Sequence, residues 1–84
     1  MALPNGPVTL TVQQIDELNK KLSSLRHDVN NHLSLIVAAA ELIKMSPDAA
    51  ARMSATLGDQ PPKISEQINK FAVEFERTLG ISRA

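Results

Sequence analysis

The sequence predicts an all-α fold, an antiparallel helical hairpin that dimerises into a four-helix bundle. Apolar residues recur at heptad spacing through the first half. Ile15, Leu22, Val29, Ile36 and Ile43 take a positions, and Leu18, Leu25, His32 and Ala39 take d positions. Ser46-Pro47-Asp48 is the best turn signal in the middle of the chain and divides it into two arms. Phe71 and Phe75 are the only aromatic residues, and the remaining apolar content is chiefly Leu, Ile, Val and Ala, which suits helices packing on helices. Eighty-four residues make one domain that buries little core alone, so a second copy is the economical way to enlarge it.

Residues 1–10 include Pro4, Gly6 and Pro7, show no helical period and read as a flexible N-terminal arm. Thr11, with Gln14 three residues on, has the form of a capping box, in which hydroxyl and amide satisfy orphan backbone donors. The first helix is expected from Val12 to about Met45, roughly 50 Å at 1.5 Å per residue, and needs a partner along its length. After Asn31 its apolar stripe widens, with Leu33 and Ala40 at e and Leu35 and Leu42 at g. A face that wide implies packing against more than one helix.

Ser46 suits the cap of a second helix and Pro47 its first position. The second arm carries Ala50, Leu57, Ile64 and Phe71 at one heptad position, with Ile68 and Phe75 at the other. Phe71 and Phe75 read as core, and Met45 and Met53 as gap-fillers at a bundle end. The phase holds across Gly58-Asp59-Gln60-Pro61-Pro62, yet two prolines and a glycine remove several ladder bonds. A short helix, a loop and a main helix from near Pro61 are therefore expected, with one kinked helix as the alternative. Gly80 marks the end of a hairpin domain spanning residues 11–80, and 81–84 form a tail.

Formal net charge is zero and the cations are scattered among acids, which gives no basic surface for nucleic acid. Without cysteine there is neither disulfide nor thiolate chemistry. The longest apolar run, Leu35 to Ala40, stops at Glu41, far short of a membrane span, and the N-terminus lacks the features of a signal peptide. A cytoplasmic protein with no membrane or nucleic-acid partner is expected.

The stretch that carries chemistry is His27-Asp28-Val29-Asn30-Asn31-His32-Leu33-Ser34-Leu35-Ile36. His27 falls at f, farthest from the apolar seam, in line with Gln13, Lys20, Ser34 and Glu41. A neutral imidazole is a usable nucleophile near pH 7, and a carboxylate beside it is placed to fix its tautomer. Taken alone, His27 is a solvated surface histidine. With Asp28, Asn31 and the flanking pattern it becomes a candidate for proton or phosphoryl chemistry. His32 at d belongs in the seam as a hydrogen-bonded polar residue that fixes register. His27 and His32 lie about 140° apart on one helix and cannot chelate one ion, so no metal is expected. Lys20, Lys21 and Arg26 read as a solvated face able to attract an acidic pocket.

Over Leu25 to Ile36 the chain resembles the phosphoacceptor box of sensor histidine kinases, in the His-Asp-Phe-Asn-Asn-Leu-Leu-Thr-Val-Ile form of hybrid kinases. Val29 stands for the Phe, His32 for the Leu, and Ser34-Leu35 for the Thr-Val. The resemblance implies that His27 is phosphorylated on a ring nitrogen and that Asp28 accepts a proton from the other. It places Asn31 where some members orient a water that dephosphorylates a partner. It implies a homodimer whose partner is a response-regulator receiver domain, with magnesium held by that receiver and no cofactor in this chain. The chain has no room for a nucleotide-binding domain, so a separate kinase is a further possible partner. The expected function is two-component phosphorelay signalling of bacterial type, with His27, Asp28 and Asn31 as the site. The alternatives are a non-catalytic dimerisation module derived from such a kinase, and a fragment of a complete hybrid kinase.

Overall fold

In the computed structural model, which describes residues 2–81, two long helices lie side by side as a hairpin. Helix α1 spans Val12–Met45 and α2 spans Ala50–Leu79, with a short 3₁₀ turn, Pro47–Ala49, between them. The particle is 57 Å long and 13 Å thin. No strand element occurs among the described residues. No helix among them is long and apolar enough to cross a membrane.

The capping box at Thr11 forms in full. Gln14 N–H donates to the Thr11 hydroxyl at 3.0 Å and Thr11 N–H donates to Gln14 Oε1 at 2.9 Å. The helix ends at Ser46, whose N–H closes on the Leu42 carbonyl at 2.9 Å. Ser46 makes no side-chain cap; Pro47 starts the 3₁₀ turn instead, and α2 begins three residues later. Gly80 closes α2 in the left-handed conformation, φ 70°, so that Ile81 N–H reaches the Glu76 carbonyl at 2.8 Å. Of the expected tail only Ile81 lies among the described residues.

The expected interruption at Pro61-Pro62 does not occur: α2 runs through both prolines. Both are exposed, and so is Gly58, four residues before Pro62, with open space around it. Water can serve a carbonyl freed there, and no side chain hinders its tilt. The turns on either side are held by Leu57 and Ile64, half-buried against α1, and by Gln60, buried at 6% exposure. Packing on the partner helix outweighs the lost ladder bonds, which explains why the heptad phase survives the prolines.

The face of α2 turned to α1 also differs from expectation. Ile68 and Phe75, read from the sequence as seam residues, are exposed, Phe75 at 40%, although its ring leans on Phe71 with centroids 6.0 Å apart. The inward row beside Leu57, Ile64 and Phe71 is instead Gln60, Gln67 and Glu74, all buried or half-buried. Polar residues of α1 meet the two ends of this row. His32 Nδ1–H donates to Gln60 Oε1 at 2.6 Å, and Lys21 Nζ donates to Glu74 Oε2 at 2.9 Å. The apolar row of α1 that packs here is Leu18, Leu25, Val29, Ile36 and Ile43, all half-buried, with buried Ala39 near the turn. Met53 is half-buried at that end as expected, whereas Met45 is 81% exposed and fills nothing in the single hairpin.

Each polar contact has a testable consequence. Gln60→Leu removes the acceptor for a half-buried imidazole N–H and is expected to cost about 1–3 kcal/mol in urea unfolding. The double variant His32→Leu with Gln60→Leu should recover most of that loss, because neither partner is then left unpaired. At Glu74, the hydrogen bond from Lys21, then the charges of Arg77 and Lys21, hold the carboxyl below its ordinary value of 4.5. A lowered folded pKa contributes stability that is present above the ordinary value and is lost as pH falls through the folded one. Glu74→Gln should therefore flatten the decline in urea midpoint below pH 4.5 and leave its slope above pH 6 unchanged.

Candidate functional site

A helix interior satisfies its own backbone, so side chains in the middle of α1 are free to present chemistry. His27 is exposed, about 120–140° round the helix from Ile15, Leu22 and Leu33 and about 80° from Val37 by the usual 100° per residue. One turn later, Asn31 is also exposed and comes back to it. Asn31 Nδ2–H donates to His27 Nε2 at 3.3 Å. Ser23 and Ser24, one turn before the ring, are exposed too, so the imidazole has uncharged hydrogen-bonding groups on both flanks.

Asp28 is not part of that arrangement. It is half-buried and makes no hydrogen bond or ion pair with His27. It lines a groove of about 250 Å³ between the helices, together with Ser24, Gln67, Lys70 and Glu74. Of the three sites expected from the sequence, the structure brings His27 and Asn31 together and turns Asp28 towards α2. Gln67 is the neighbour that the sequence reading missed. Its signal was present in the seven-residue spacing of Gln60, Gln67 and Glu74, masked by the apolar residues one position further on.

Two of the three cations named near the ring, Lys20 and Lys21, are engaged locally. Lys20 pairs with Asp16 at 2.9 Å, and Lys21 pairs with Glu74. The Lys20–Asp16 pair is exposed and exchanges readily with water or a partner's charge, whereas Lys21 reaches the half-buried Glu74 of the inward row. His32 points the other way, into the hairpin against Gln60, and takes no part in the surface site. Among the described residues no three of His, Cys, Asp or Glu gather as a metal site. Chemically, the exposed site offers one nucleophilic nitrogen with an amide beside it and free access for a large reactant.

Comparison of the chain with family models, curated proteins and solved structures finds no match. The site's chemistry is thus read from its own residues and from the motif they form.

Proposed function

We propose that this chain is a homodimeric phosphoacceptor module of a phosphorelay, exchanging a phosphoryl group between His27 and the aspartate of a response-regulator receiver domain. The observation that carries this reading is the exposed His27 ring in mid-helix, with Asn31 at 3.3 Å and, among the described residues, no hydrogen bond to the core. In the transfer, Nε2 attacks the phosphorus of the partner's aspartyl phosphate, the acyl phosphate bond breaks, and its electron pair leaves with the partner's carboxylate. The partner supplies the magnesium and positive charge that such a transfer needs, so exposure of the histidine is the main structural requirement on this side.

The dimer completes the bundle. Ile15, Leu22, Leu33 and Val37 on α1, with Ile68 and Phe75 on α2, are exposed in the single chain, Val37 at 59%. They sit on the flank of each helix next to its hairpin-facing row, as a second hairpin packing alongside requires. In that bundle His27 stays on the outer surface. The chain then works in the cytoplasm, where receiver domains are found.

A scaffold reading has one observation in its favour, the turning of Asp28 away from the ring, which a relay histidine would be expected to keep close. Incubation with phosphorylated receiver domains separates the two. Acid-labile label on the wild-type chain that returns to an unphosphorylated receiver supports the relay. Absence of label with every receiver of the source genome would establish the scaffold.

A further inference from the structure

The resemblance gives the adjacent acid the task of fixing the imidazole tautomer; the fold puts a different group on the ring. We infer that Asn31 is the positioning residue that keeps Nε2 of His27 unprotonated, and that Asp28 does not serve in that role. The inference rests on the phosphoacceptor reading for its purpose but not for its test.

An amide nitrogen donates and cannot accept, so the ring nitrogen 3.3 Å from Asn31 Nδ2 must present its lone pair. In a neutral imidazole the proton then sits on Nδ1. An unrestrained histidine side chain prefers the opposite tautomer, with the proton on Nε2, so the contact selects against the ring's own tendency. Among the described residues no other hydrogen bond reaches the ring. Asp28 lies about 100° round the helix and faces the interhelical groove with Gln67 and Lys70.

The consequence for the reaction is definite. Nε2 is the nitrogen that attacks, and Nδ1 keeps its proton through the step. A neutral ring and a dianionic acyl phosphate give a carboxylate and a phosphorylated imidazolium, which loses the Nδ1 proton to water afterwards. The Asn31 N–H releases the lone pair as the N–P bond forms. It is then beside the new phosphoryl oxygens and can donate to one of them.

Nitrogen-15 NMR of the imidazole reads the tautomer directly in the folded chain at alkaline pH, where the ring is neutral. The wild-type His27 is expected to show the Nδ1–H form in majority. Asn31→Ala should return it to the Nε2–H form. Asn31→Asp, nearly the same shape but able only to accept, should drive it further that way. Asp28→Asn should leave the tautomer as in the wild type. Circular dichroism of each variant checks that α1 is intact. A wild-type ring already in the Nε2–H form, or a tautomer that follows Asp28→Asn and ignores Asn31→Ala, overturns the inference. Because this signal requires no phosphate, a correct tautomer without any label would remove the relay reading and leave the Asn31 assignment standing.

Discussion

Ile36→Asp is expected to dissociate the proposed dimer and unfold the chain in one step. Ile36 is half-buried at a central a position of α1, facing the hairpin and adjoining the stripe formed by Leu33 and Val37. His32, one turn earlier on that face, is held by Gln60 and the neighbours are otherwise aliphatic, so a carboxylate there is left without a ready partner, and stranding a buried charge costs about 3–5 kcal/mol. A domain of this length has about 4–12 kcal/mol in total at the usual stability per residue. The single hairpin buries only Ala39, Ala49 and Gln60 among the described residues, which places its own share at the lower end. Loss of the stripe's partner and loss of the seam then coincide. Sedimentation should show monomer, and circular dichroism should show lost helix, at the same protein concentration. Ser34→Asp, on the exposed face of the same helix, serves as the control and should do neither. A folded Ile36→Asp monomer would show that the hairpin stands alone and that the outer stripe has some other occupant.

The extent to which the fold was legible follows from which signals are local. The α1 boundaries, the Thr11 capping box and the left-handed Gly80 were readable because each depends on residues within one turn of itself. The choice between one helix through Pro61 and Pro62 and an interrupted one was not, because it depends on α1 pressing against Leu57, Gln60 and Ile64. The inward row of α2 was misassigned for a related reason. Heptad spacing points Ile68 and Phe75 at the hairpin partner, yet they lie outside it and the polar row of Gln60, Gln67 and Glu74 lies inside. A chain that dimerises as proposed would spend its strongest apolar residues on the second packing surface. Bonds such as His32–Gln60 and Lys21–Glu74 then fix the register of the first. At the site, helical period alone placed His27 on the surface and His32 in the seam. Which neighbour would touch the imidazole required side-chain positions, because Asp28 is adjacent in sequence and Asn31 is adjacent in space.

His27→Gln is expected to abolish phosphoryl transfer while leaving the fold unchanged. The side chain is exposed and its one hydrogen bond among the described residues is to another exposed residue, so the stability change should stay within about 0.5 kcal/mol. Glutamine keeps the length and polarity of the position and remains compatible with helix, but its amide nitrogen has no lone pair free to attack phosphorus. No substitute is at hand. His32, the only other histidine, is half-buried and committed through Nδ1 to Gln60 on the opposite side of the helix. Label from a phosphorylated receiver should therefore fall to background, rather than to the fraction that survives when an assisting group is lost. Melting and sedimentation should match the wild type, which separates this loss from that of Ile36→Asp. If His27→Gln still takes up acid-labile label, the acceptor is His32 and the seam must open to expose it. In that case Gln60→Leu, which frees the His32 ring, should raise the labelling rate, whereas an acceptor at His27 leaves the rate unchanged.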